Sequence, residues 1–371
     1  ASAKQDIRSY AAAASVASSS VGGSGVAGVV TSENRVEALM GRGARVTISG
    51  TGAVSLAATN TFKIFGLAAG VGVGSTAGIG AAATVVVVNN ITRAALGDGT
   101  SAADRAEINT NGAVSITATA TEDGDLFSVA GGAGGNVGIG AGAGIYVLDT
   151  TTEAKVGNFA KVGNAFNEGS LGIAASDTSR LFAVSGAAGA GGTAGGGAGV
   201  AVGVLDKTIT AAIGTSAVVE IGNVSVDAKS AEELSNITAG VGVGGTAGLA
   251  GAVTVLSVNP TTTARIGAGS RVFADGNVAV TADSKTEIDI IDGAFAVGSA
   301  GIGASVGVTV INAKTLATVD ANAQVTALGN NSAAQSFISG YGSSFAAYGS
   351  GEGFASADFN ADSYKELTDD N

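Results

Sequence analysis

The chain of 371 residues contains no histidine, no cysteine and no tryptophan, and it has one proline and one methionine. Without histidine and cysteine there is no Ser-His-Asp or Cys-His relay, no His/Cys zinc site and no disulfide framework. Carboxylate pairs, lysine and tyrosine are what remain for acid–base chemistry. Positive charge is also short, with 18 Lys and Arg against 30 Asp and Glu and a net charge of −12. Such a chain lacks the basic face that displaces counterions from phosphates, which excludes nucleic acid as a partner. The lone proline, Pro260, is expected to turn the apolar strand that precedes it. The opening residues Ala1-Ser2-Ala3-Lys4 carry no signal-peptide pattern, and the first repeat begins in mid-pattern near Ala11. A processed form or a fragment is the expectation.

What the chain does have is repetition. A block of about 55 residues recurs five times, the mark of a stacked, quasi-one-dimensional protein. Its first signal is alanine, any residue, an apolar residue and glycine: Ala38 to Gly41, Ala94 to Gly97, Ala154 to Gly157, Ala211 to Gly214 and Ala264 to Gly267, with a weak sixth copy at Ala317 to Asp320. The final positions are 56, 60, 57, 53 and 53 residues apart. A second signal follows each, as at Ala53-Val54-Ser55-Leu56 and Asn223-Val224-Ser225-Val226. The third is a long uncharged Gly/Ala/Val run.

Parity reads these signals as strands, since successive side chains point to opposite faces. Val54/Leu56/Ala58, Val114/Ile116/Ala118, Val224/Val226/Ala228 and Val278/Val280/Ala282 form a dry face. Ser55, Ser115, Thr117, Ser225, Asp227, Lys229, Thr281 and Asp283 form the wet one. In the first signal Ala154/Val156 and Ala264/Ile266 point inward, against Glu153/Lys155 and Thr263/Arg265.

The uncharged runs, such as Ile64 to Thr92 and Leu181 to Leu205, are long enough for membrane-spanning helices. Glycine clusters, each costing about 0.8–1 kcal/mol per residue in a helix, oppose that reading, as does the absence of tryptophan at an interface. In a strand, Gly138-Ile139-Gly140-Ala141-Gly142-Ala143-Gly144 places glycine on one face throughout. That face would let another backbone approach closely.

Blocks such as Gly240 to Gly248, Val253 to Leu256, Thr261 to Gly267 and Gly276 to Ala282 resemble the large secreted filamentous adhesins of bacteria, the leukotoxin-type and haemagglutinin-type repeat proteins. The resemblance covers roughly residues 11 to 328. It implies a β-helical, surface-exposed or secreted bacterial protein that builds fibres or mediates adhesion. The fold expected is therefore all-β: an elongated, parallel β-helix-like solenoid of about five repeats, with residues 1–10 as lead-in, 11–328 as body and 329–371 as a divergent tail. The function expected is a non-enzymatic extracellular fibre, adhesin stalk or biofilm-matrix protein without a cofactor. Its expected partners are further copies of itself and a host or neighbouring cell surface. A carbohydrate-active β-helix enzyme and a membrane-inserting toxin segment are the alternatives; the first would need paired carboxylates concentrated in one or two coils, whereas the charges here are spread evenly.

Two smaller features complete the reading. Asp123/Asp125 and Asp289/Asp292 read as solvated acidic corners rather than cation sites. The tail carries Phe337, Tyr341, Phe345, Tyr348, Phe354, Phe359 and Tyr364, seven of the 17 aromatics. These are the candidate docking residues, in a segment that reads either as an end cap or spacer or as an anchor into a neighbouring subunit.

Overall fold

The computed structural model describes residues 1–18, 20–164 and 168–329, and every regular element among them is a β-strand. The first coil comprises β1 (Ser2–Ala17), β2 (Val21–Met40) and β3 (Arg45–Thr47), and the second β4 (Val54–Gly74), β5 (Ala77–Leu96) and β6 (Glu107–Asn109). The third holds β7 (Val114–Gly134), β8 (Val137–Val156) and β9 (Lys161–Gly163), and the fourth β10 (Ser170–Gly191), β11 (Ala194–Ile213) and β12 (Val218–Ile221). The fifth holds β13 (Asn223–Gly244), β14 (Ala247–Ile266) and β15 (Arg271–Ala274). The sixth is β16 (Val278–Val297), β17 (Ala300–Ile311), β18 (Lys314–Val319) and β19 (Gln324–Ala327). β1 begins at Ser2, within the first ten residues.

Like strands stack on like strands, all parallel, into two long sheets and one short one. The first long sheet runs β1-β4-β7-β10-β13-β16, the second β2-β5-β8-β11-β14-β17 with β18 also on β14, and the short sheet β3-β6-β9-β12-β15-β19. This is a β-solenoid of six levels. The second sequence signal is one ladder of the first sheet, Val54–Val114–Leu171–Val224–Val278. The glycine that ends the first signal also has its reason. A Cβ on Gly157 would sit 2.5 Å from the Gly97 carbonyl oxygen, and one on Gly214 2.6 Å from the Gly157 carbonyl carbon. At that corner the coils touch backbone to backbone, and glycine holds the place in every level but the last, where the Asp320 N–H meets the Ile266 carbonyl.

Inside each coil the side chains taper. At the wide end the three sheets enclose Ile, Val, Leu and Ala, among them Ile108, Val114, Ile116, Val156, Ile213 and Val219. Further along lie Phe62, Leu126, Tyr146, Leu148, Leu181 and Leu205, and then alanines such as Ala68, Ala130 and Ala187. At the far end of the inner coils the two long sheets meet mainly through glycine, with alanine or serine in its place at Ala13, Ser15 and Ala17 of the first coil and Ala294 and Ala296 of the last. A Cβ on Gly72, Gly132 or Gly189 would fall 1.9 Å from a facing carbonyl oxygen. Each uncharged run is thus two facing strands joined by a tight arch, at Ser75-Thr76, Gly135-Asn136, Gly192-Thr193 and Gly245-Thr246. No helix of the described residues is long and apolar enough to cross a membrane.

Pro260 does not turn the chain. It lies inside β14, and the ladder toward the sixth coil breaks opposite it, between the Val258–Ile311 pair and the Thr261–Lys314 pair. A residue with no N–H to offer the ladder accounts for the gap between β17 and β18.

Candidate functional site

Two features stand out against this regular frame: a polar layer inside the coil and an uncharged surface outside it. The polar layer separates the two apolar regions of the core. On the first long sheet the inward rows are Asn60–Ala120–Asp177–Ser230 and Phe62–Glu122–Ser179–Glu232. On the second, the facing row is Asn34–Asn90–Thr150–Lys207–Pro260.

Lys207 is the centre of this layer. Its side chain and those of Asp177 and Glu232 are 0 % exposed, with Nζ 2.6 Å from Asp177 Oδ1 and 3.4 Å from Glu232 Oε1. Nζ also donates to Ser179 Oγ at 3.0 Å, and Ser179 donates to Glu122 Oε2 at 2.9 Å. Thr150 and Thr152 hydroxyls donate to Asp177 Oδ2 at 3.2 and 2.8 Å. Asn90 Nδ2 reaches Glu122 at 3.3 Å, while Ser230 and Thr286 donate to Glu232.

Burial, and next the charge of Asp177, push the Glu122 carboxyl well above its ordinary range. Burial also opposes the charges on Asp177 and Lys207, but their mutual attraction outweighs it. Asp177 is held below its usual value and Lys207 above. The layer therefore sets a Glu122 carboxyl whose ionisation burial opposes beside an Asp177–Lys207 pair whose charges support each other.

The outer faces differ along their length. Near the short sheet they are charged and polar. The outward row Asp6–Lys63–Asp123–Arg180 alternates in sign, with Lys63 3.3 Å from Asp123 and Arg180 bridging Asp123 and Asp125. Asp123 and Asp125 are thus engaged by cationic side chains on a strand, not placed at a corner. Beside that row, Tyr10, Phe65, Phe127 and Phe182 form a zigzag of rings with centroids 5.4, 5.6 and 5.9 Å apart, a geometry that adds about 0.5–1.5 kcal/mol per pair beyond area burial.

From there to the arches the outer surface carries no charge. On the second sheet the rows include Gly23–Ile79–Ile139–Gly196–Leu249–Ile302 and Val29–Val85–Ile145–Val202–Val255–Val308. Ile139, Leu249 and Ile302 are 44 %, 54 % and 63 % exposed. Comparison of the chain with known families, curated proteins and solved structures gives no match. Phe337, Tyr341, Phe345, Tyr348, Phe354, Phe359 and Tyr364 lie outside the described residues.

Sequence reasoning missed the polar layer, although its signal was available. Glu122 shares the parity of Val114 and Ile116, Asp177 that of Leu171 and Ile173, and Lys207 that of Ala211 and Ile213. A charged residue on the dry parity of a strand must be paired or neutral.

One corner ties adjacent coils electrostatically. Asp98 accepts Lys155 Nζ at 2.9 Å and the Asn158 backbone N–H at 2.8 Å. Burial raises its pKa, but these donors outweigh burial and hold the carboxyl below its ordinary range. That stabilisation is present above the unfolded-state carboxylate pKa and lost as pH falls through the folded one. Asp98→Ala is expected to cost about 1 kcal/mol at neutral pH, discounted for exposure. The difference from wild type should shrink in urea titrations run at pH about 3; a pH-independent difference would mean that packing, not charge, joins this corner.

Proposed function

We propose that this chain is a non-enzymatic structural or adhesive fibre protein of the bacterial cell surface or extracellular space, working through self-association. The observation that carries the reading is the uncharged outer surface of the glycine-rich half of the two long sheets. Six levels at about 4.8 Å rise only about 24 Å along the axis, whereas a 20-residue strand runs about 65 Å. A long fibre is therefore reached by adding coils or copies.

The occupant that fits this surface is a second copy. Its six uncharged rows on the second sheet span about 33 Å along the strands and about 24 Å across them, on the order of 800 Å², which is what one partner contributes to a stable protein interface. The row bordering it holds Glu33, Asp149 and Asp206, which would repel an anionic membrane and suits the polar rim of a protein contact. The resemblance to filamentous adhesins agrees with this reading, and the surface charges of the described residues are distributed over the levels rather than gathered in one or two coils as sugar hydrolysis would need.

Negative-stain microscopy over a dilution series, beside vesicle flotation with anionic lipid, tests it. Laterally bundled or end-joined fibres are expected for the wild type. Ile139→Lys combined with Leu249→Lys should keep the β spectrum, because exposed outward positions cost within about 0.5 kcal/mol, and should abolish bundling. Monodisperse particles that float with lipid would overturn the proposal in favour of membrane insertion.

A further inference from the structure

The Lys207 cluster contains more than a salt bridge. An amine, a carboxyl group and a second carboxyl group whose ionisation burial opposes lie together in the interior, with side chains fully buried, and this is the set of parts from which an amide can form. Lys207 and Asp177 stand on facing strands, β11 and β10, of the same coil. Nζ lies 2.6 Å from Asp177 Oδ1, and yet Oδ1 accepts no hydrogen bond of acceptable angle. The hydrogen bond that Nζ makes with good geometry goes to Ser179. The other oxygen, Oδ2, is held by two threonine hydroxyls. Glu122 is joined to this group through Ser179, which accepts from Lys207 Nζ at 3.0 Å and donates to Glu122 Oε2 at 2.9 Å.

We propose that Lys207 and Asp177 condense into an intramolecular isopeptide bond, with Glu122 as the acid and base that moves the protons. Nζ first passes a proton to Asp177 Oδ1, giving a neutral amine beside a neutral carboxyl group, an exchange that runs against the resting charges of the pair but costs less in a dry interior than in water, which would solvate the separated charges. The Nζ lone pair then attacks Asp177 Cγ and the N–C bond forms. Negative charge develops on Oδ2, where Thr150 and Thr152 already donate, in the manner of an oxyanion hole. Glu122 gives its proton to the Oδ1 hydroxyl and takes one from the nitrogen. The Cγ–Oδ1 bond breaks, water leaves, and Glu122 ends as it began. The sum is ammonium plus carboxylate going to amide plus water, with no oxidant, reductant or cofactor required.

Glu232 is the competing acid, but it is farther from Nζ and is held in place by Ser230 and Thr286. The fixed approach of amine and carboxyl supplies what a bimolecular amidation lacks. The resulting link would close a covalent ring around the glycine-rich half of the fourth coil, so that its two long strands could not peel apart under load. This inference stands whether or not the chain forms fibres.

Intact-mass spectrometry of the full chain tests it. The wild type is expected to weigh one water molecule less than its sequence, and tandem spectra of a digest should join the peptide containing Asp177 to that containing Lys207. Lys207→Arg and Glu122→Gln should both show the full mass of their sequences; the Gln variant keeps the shape of the site and a β spectrum, so loss of the link there cannot be put down to misfolding. A folded wild type at full mass would overturn the proposal. So would a loss of water that persists in Lys207→Arg, which would place the dehydration at an Asp-Gly step such as Asp123-Gly124. Persistence of the link in Glu122→Gln would remove Glu122 from the chemistry.

Discussion

Valine at Gly132 is expected to destabilise the protein by about 3 kcal/mol or more, while valine at the adjacent Gly131 is expected to change stability by no more than about 0.5 kcal/mol. Both glycines lie in β7 and differ only in parity. A Cβ at Gly132 would meet the Ile139 carbonyl oxygen at 1.9 Å and the Gly78 oxygen at 2.6 Å. The obstacles are backbone, which cannot rotate away as a side chain can. To admit one methyl group the two long sheets must separate, and separation at one level strains the parallel ladders above and below it. Overpacking of an ordinary core costs about 1–3 kcal/mol because neighbouring side chains share the shift; none is available here. At Gly131 the nearest atom to a new Cβ is a Val71 methyl at 3.8 Å, an ordinary contact, and a β-branched residue suits an outward strand position. Urea midpoints of the two variants decide the matter. Equal losses at both positions would mean that strand entropy, not close approach of the sheets, explains the glycine content.

Much of this was legible in the sequence because parity in a strand is binary. Val54, Leu56, Val114, Ile116, Val224 and Val226 point inward as their alternation requires, and Gly138, Gly140 and Gly142 face a second backbone as their spacing suggests, while Gly144 faces the Ser185 side chain. The repeat steps became the ladder register. What the sequence did not disclose was where each uncharged run folds back, because Ser75-Thr76 or Gly192-Thr193 differs little in composition from its flanks. Pro260 carried a turn signal that the surrounding ladder overrides, since pairing with β11 continues along the whole of β14. The polar layer was hidden for a different reason. A lysine or aspartate in a strand is ordinarily outward, and only the partner from another strand makes the inward position tolerable. That partner is set by the facing of two sheets, which local pattern does not contain.

The second large effect belongs to that layer. Lys207→Met is expected to cost about 3–5 kcal/mol, the usual consequence of leaving a buried charge without its partner, because Asp177 would keep its carboxylate in the interior with no cation and only Thr150 and Thr152 to satisfy it. Combining Lys207→Met with Asp177→Asn should recover the larger part of the loss, since replacing both members of a buried pair removes the charge as well as the attraction. The pH dependence supplies the sign. In the wild type Asp177 is held below its ordinary pKa, so its contribution is present above the unfolded-state value and lost as pH falls. In Lys207→Met the same carboxyl is buried without a cation, its pKa rises, and protonation relieves the penalty as pH falls. The stability gap between the two proteins should therefore narrow steadily below about pH 4. Glu122, raised in pKa in the wild type, is present in both proteins and does not reverse this. The sign also holds if the amide has formed, because the variant still exposes Asp177 as a free acid to a dry interior. A gap that stays constant from neutral to acid pH would show that Lys207 contributes through the packing of its methylenes, which methionine reproduces, and not through its charge.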